Sequence, residues 1–276
     1  EKENNEIKKR VWNLPVYFEK DNTLIGSDMM YQKLWNKFSN DDIFIMHADM
    51  FPVEEDTDNN WFDDVLKYVE EYPEAGMFGC LLLYPAKDEN ENFFIQSAGG
   101  KFTDGVPDHF GSGLTMETKG KFKEELEVDT GQYDYVREVA WSTFGGIYIR
   151  RELFNKVGNF SAGYEWTYNR DVDYCLTARE AGFKIYQIPV RLLHFESRDN
   201  KIIKANDINK VKAEMRNLES LKKKWENTDF YKTLDENAVR DEVLSKLSAG
   251  MATLAGTDSS FNVNEFDVSF KGNRLS

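Results

Sequence analysis

Two groups of side chains in this sequence have the types and spacing to do chemistry. The first, His47-Ala48-Asp49, directly follows the apolar run Ile43–Met46; the second joins Asp171 and Asp173, at the start of a helical pattern, with His194 at the end of a β-type run. A metal on a diphosphate needs hard oxygen ligands, and a carboxylate on a rigid strand end supplies one while leaving coordination positions for phosphate oxygens. Asp49 fits that role. An imidazole beside it, His47, moves the preferred ion from Mg2+ towards Mn2+, because nitrogen suits the later metal better; a plain hydrogen-bonding role would also account for His47. Asp171 and Asp173 fall in the first turn of their helix, where the dipole favours a carboxylate with or without a catalytic duty.

Trp141, Tyr164 and Trp166 flank the Gly145-Gly146 pair and the acidic helix start. An aromatic face can stack on the apolar side of a sugar ring, which makes these three candidates for acceptor contact, with core or rim packing as the equal reading. The glycine pair lets a backbone approach a donor closely, and tight strand packing would explain it as well. His109, in a glycine-rich stretch, receives no role.

Positioning these groups requires a particular set of elements. Ile43–Met46 and Met77–Tyr84 read as buried strands, and between them Trp61, Phe62, Val65, Leu66, Val69 and Tyr72 recur at helical spacing until Pro73 stops the helix. From Lys87 to Glu138 the pattern weakens into loops with short strands. Val139–Arg150 holds an alternating strand behind its glycine pair, then a helix over 151–157 ends at Gly158. The acidic helix, Asp171–Glu180, closes at Gly182; a strand over 184–188 meets Pro189, and a last short strand reaches His194. Ile208, Val211, Met215, Leu218, Leu221 and Trp225 mark an amphipathic helix with a lysine-rich outer face, and a further helix is expected over 239–247 before a loosely held tail. Strands alternating with helices imply a Rossmann-like α/β fold, a mostly parallel sheet flanked by helices, with ligands beyond the carboxyl ends of its strands. The expected division is a catalytic part over 1–200 and a C-terminal helical extension over 201–276.

Composition narrows the classes. With 276 residues, 35 Lys plus Arg against 49 Asp plus Glu and a formal charge of −14, the chain is poorly suited to neutralising a nucleic-acid backbone. An aromatic content of 14% suits a packed enzyme rather than a disordered acidic chain. Cys80 and Cys175 lie in apolar stretches without a CxxC partner, so they read as buried thiols. No run approaches the roughly 18 apolar residues that span a bilayer, and the start is polar; a cytoplasmic protein is expected, with peripheral attachment to a membrane left open.

Five segments in order carry a resemblance: Asp41–Pro52, Gly76–Pro85, Ile95–Gly100, Phe144–Phe160 and Asp171–His194. In order and spacing they resemble glycosyltransferase family 2, in its rhamnosyltransferase-like branch, over about residues 20–226, including Asn217 and Lys224-Trp225. The resemblance implies a GT-A fold and an inverting, hexosyltransferase-type enzyme. Such an enzyme moves a sugar from a nucleotide-sugar donor to a hydroxyl of a glycan or other acceptor, with Mn2+ or Mg2+ on the diphosphate. By the same resemblance, Asp49 binds metal and donor diphosphate, His194, five residues after Pro189, is a metal ligand, and Asp171 is the general base, with Asp173 next in line. Three departures stand out. His47 stands where the family's metal motif opens on Asp or Asn, and the family's acidic pair, often Glu-Asp, falls on Arg170-Asp171, so the glutamate is absent. The family's opening strand, helix and strand have no counterpart before Val16. Two rivals follow: a nucleotidyltransferase-like enzyme using the same kind of metal-diphosphate site, which would release pyrophosphate, and a non-catalytic carbohydrate-binding or assembly module derived from a transferase.

Overall fold

The computed structural model describes residues 27–53, 61–103, 105–111, 127–165, 168–195 and 208–234. The first part of the chain forms α1 (Ser27–Lys37), β1 (Ile43–Ile45), β2 (Met50–Pro52), α2 (Trp61–Glu71), β3 (Ala75–Lys87), β4 (Phe93–Ser97), β5 (Gly100–Thr103) and β6 (Val106–His109). After these come β7 (Arg137–Glu138), β8 (Ile147–Ile149), α3 (Arg151–Val157), α4 (Arg170–Glu180), β9 (Lys184–His194) and α5 (Ile208–Trp225). Trp166, the helix expected over 239–247 and everything before residue 27 lie outside the described residues.

β3 is buried along ten residues and is the axis of the sheet. Because side chains alternate across a strand, Met77, Leu81 and Leu83 enter one apolar cluster and Phe78, Cys80 and Leu82 another. The first cluster is covered by Trp35 of α1, Leu153 of α3, Val172, Cys175 and Leu176 of α4, and Leu221 and Trp225 of α5. The second is covered by Val65 and Val69 of α2, a pair four residues apart on one helix face. Helices therefore flank a sheet core on both faces, and the described part of the C-terminal extension packs on the same core as α4.

Strand order is β1-β8-β3-β9-β2, with β4 also on β3 and β7 also on β9. The expectation of a mostly parallel sheet is corrected here: β3–β9 is parallel, whereas β1–β8, β8–β3, β3–β4, β7–β9 and β2–β9 are antiparallel. The reason is connection length. β3 and β4 are joined by a tight turn over 88–92, which admits only the antiparallel arrangement, whereas β9 reaches its parallel place beside β3 through a long connection that includes α4. A second difference concerns Pro189, which the sequence pattern reads as a break between two strands. β9 runs through it, because the β3–β9 register shifts between the Cys80–Ile188 and Leu81–Arg191 pairs, where the missing N–H leaves no ladder position empty.

One buried arginine ties the front of the sheet together. Arg151 donates from Nη2 to the carbonyls of Trp35 (2.8 Å) and Phe38 (2.5 Å) and from Nε to that of Asp41 (2.9 Å), while its own N–H donates to Asp42. These carbonyls lie at and beyond the C-terminal end of α1, where helical partners run out and a cation is favoured. α1 is thereby held against β1 and α3.

Candidate metal centre

Pairing of β2 with β9 sets Met50 opposite His194 and lets the Phe195 N–H donate to the Asp49 carbonyl at 3.0 Å. Upstream, β1 pairs with β8 on the other side of β3, so the short link from Ile45 to Met50 must cross from one side of the sheet to the other. It does so in a turn closed by the Met50 N–H donating to the His47 carbonyl at 3.1 Å. The Gly145-Gly146 pair lies beneath. A Cβ on Gly145 would come within 2.3 Å of the Met50 methyl and 3.6 Å of the His47 ring. One on Gly146 would meet Leu192 at 2.7 Å, and the φ of +68° there is itself a glycine conformation. The space Gly145 leaves is used by the crossover that carries His47 and Asp49, and that of Gly146 by Leu192 of β9.

This geometry brings His47, Asp49 and His194 together, their ligand atoms all within 4.8 Å of one another. His194 Nε2 lies 3.5 Å from Asp49 Oδ1, and the two imidazole rings are 5.6 Å apart between centroids. Tyr31 of α1 stacks on His47 at 6.4 Å and 16°. On its far side His194 Nδ1 is 2.8 Å from Gln96 Oε1. Burial pushes the His194 imidazole down to about 4, with the Asp49 carboxylate opposing and His47 adding to the fall. The ring is therefore neutral at pH 7, the form in which imidazole binds metals. One carboxylate oxygen and two imidazole nitrogens suit a first-row transition ion better than Mg2+, which prefers oxygen ligands.

The acidic helix is tied to the segment that leads to the glycine pair. Asp171 is half-buried, with Oδ1 accepting from the Val172 N–H at 2.9 Å. One turn on, Cys175 Sγ accepts from the Ser142 N–H at 3.4 Å, and residues 142–145 span at most about 13 Å from there to the glycine beside His47. Asp173 has different surroundings. It is 1% exposed and accepts from Ser161 Oγ (2.5 Å) and Trp225 Nε1 (2.6 Å), with Lys224 Nζ at 2.8 Å. Arg170, which replaces the expected glutamate, is buried and donates to the carbonyls of Ser161 (3.1 Å) and Tyr164 (2.7 Å). It holds the loop that leads into α4.

Trp141 and Tyr164, two of the candidate acceptor rings, are placed otherwise than an open stacking face would require. Trp141 is 4% exposed, lies against Gly100 and His109, and donates from Nε1 to the Lys101 carbonyl at 2.9 Å. Tyr164 is 7% exposed, and burial together with Asp173 raises the pKa of its hydroxyl. Both belong to the core. The sequence pattern assigns no duty to Gln96, Tyr31 or Arg170, although the first of these stands inside the segment Ile95–Gly100 that carries part of the resemblance.

His109 gives a pH prediction. Its Nδ1 is 2.9 Å from Ser97 Oγ, and burial pushes its pKa from 6.5 down to about 4, with Asp108 opposing. The unfolded chain takes up this proton as pH falls through 6.5 and the folded chain resists until about 4, so stability falls with pH across that window. Urea unfolding at a series of pH values should show His109→Gln with a shallower decline between 6.5 and 4; an unchanged slope would mean that His109 is not held neutral.

No family model matches the sequence, and no curated protein matches it. Among solved structures, the chain aligns with the crystal structure of GalNAc-T7 with UDP, GalNAc and Mn2+ at a TM-score of 0.49 and 16% identity. The alignment covers 70% of this chain and 34% of that one, so the chain spans about a third of that protein's length. No helix among the described residues is long and apolar enough to cross a membrane.

Proposed function

We propose that this chain is an inverting glycosyltransferase of the GT-A kind, moving a sugar from a nucleotide-sugar donor to a hydroxyl acceptor. The observation that carries the reading is the convergence of His47, Asp49 and His194 within 4.8 Å, at the end of β1 and the end of β9. The five ordered segments of the sequence support it. Asp49, His194 and His47 hold a divalent ion, Mn2+ by donor type. When bound, the ion supplies positive charge that stabilises the departing nucleoside diphosphate. Asp49 is turned further to solvent than His194, its side chain 38% exposed against 14%, and so presents the site to the diphosphate. Asp171 accepts the proton of the acceptor hydroxyl as that oxygen attacks the anomeric carbon. Asp173 holds α4 and α5 in place, which fixes the helix start that carries Asp171.

Titration calorimetry tests the metal part. Mn2+ and a nucleoside diphosphate should bind cooperatively, each strengthening the other, and Asp49→Ala should abolish that coupling. Equal diphosphate affinity with and without Mn2+ in the unaltered protein would sink the reading. Product analysis tests the rest: release of pyrophosphate rather than nucleoside diphosphate would point to nucleotidyl transfer.

A further inference from the structure

β4 carries an irregularity at one residue. Along its ladder with β3, Ser97 pairs with Leu82 and Ile95 pairs with Leu83, so Gln96 is the extra residue between two successive partners. Bulges of this kind re-aim a side chain and recur beside functional sites. The backbone on either side is fixed, with the Ile95 N–H donating to Glu127 (2.8 Å) and the Ala98 N–H to Phe110 (2.9 Å). Gln96 itself is 9% exposed, and its Oε1 lies 2.8 Å from His194 Nδ1.

We infer that Gln96 is a positioning residue that fixes the tautomer of His194 and so presents its Nε2 lone pair to a divalent cation. The inference rests on the metal reading of the site proposed above. An amide oxygen only accepts, so a bond to Nδ1 places the ring hydrogen there. The neutral ring then has its lone pair on Nε2, the atom 3.5 Å from Asp49 Oδ1. Two electron-pair donors facing each other across that gap, with His47 nearby, are reconciled by a shared cation. Outer partners of this type orient metal-binding histidines and typically change metal affinity about 10 to 100-fold when removed.

The test uses the full chain and two variants, with Mn2+ alone as the probe. Nitrogen-resolved NMR of the metal-free protein should show His194 protonated at Nδ1, and Gln96→Leu should lose that fixed tautomer. Mn2+ titration followed by electron paramagnetic resonance should show Gln96→Leu binding about 10 to 100-fold more weakly. Gln96→Glu, which restores an acceptor, should bind at least as tightly as the unaltered protein, which a mere packing role would not give. Melting temperatures confirm that both variants fold. An Nε2-protonated His194 in the unaltered protein, or Mn2+ affinity indifferent to Gln96→Leu, would overturn the role of Gln96 while leaving the metal site standing. An unaltered protein with the Nδ1-protonated ring but no affinity for Mn2+ would instead overturn the metal reading itself, and this inference with it.

Discussion

Asp171→Asn should remove sugar transfer while sparing donor binding, because the amide keeps the shape of the carboxylate but cannot take the acceptor's proton. Loss of a general base costs about 100 to 10,000-fold in rate. Asp171 is half-buried at the start of α4, and its Oδ1 accepts from the N–H of the next residue, a bond that the amide oxygen of asparagine can also accept. Turnover at saturating donor and acceptor should therefore fall by that range with the melting temperature nearly unchanged. A variant keeping more than about a tenth of the rate, outside the range for a missing base, would show that another group takes the proton.

Asp173→Ala should do the opposite, with its main effect on stability. The carboxylate is the common acceptor for Ser161, Trp225 and Lys224, which join the entry loop, α4 and α5. Truncation leaves the Ser161 hydroxyl and the Trp225 indole N–H without that acceptor. We expect a loss of about 3 kcal/mol, the low end for breaking a buried ion pair, because Lys224 is 43% exposed and can turn to water. A loss of that size lowers the melting temperature by roughly 6 to 12 °C in a chain of this length. Thermal unfolding of the two aspartate variants side by side separates the roles. If Asp173→Ala melts with the unaltered protein, the network does not hold the two helices together.

Most of the framework was legible from period and punctuation. The helix over 61–71 follows from Val65 and Val69 with Pro73 behind them, and the short helix before Gly158 ends where that glycine takes a φ of +78°. The cluster at the strand ends was readable because His47 and Asp49 follow a plain apolar strand. What failed has a physical reason in each case. The apolar stripe of α5 was drawn through Met215, which is 60% exposed, because the buried face runs through Ala213, Asn217, Leu221 and Trp225. Asn217 faces inward, accepting from the Glu165 N–H and donating to the Glu165 and Tyr168 carbonyls, a polar demand that hydropathy cannot signal. Trp141 and Tyr164 flank the glycine pair and the acidic helix, which left stacking and core packing as equal readings in the sequence; in space their neighbours are the core. Gln96 was invisible because its meaning lies in one extra residue in a ladder, which no local pattern records.

The link from Ile45 to Met50 is anchored at one end by β8 and at the other by β9, strands that β3 alone holds apart. Asp49 is set against His194 by the β2–β9 pairing, whereas His47 reaches the site along a path that starts at β1, beyond β8 and β3. An ion held by all three residues would therefore brace the link from β1 against β9, and its binding would add to the stability of the fold.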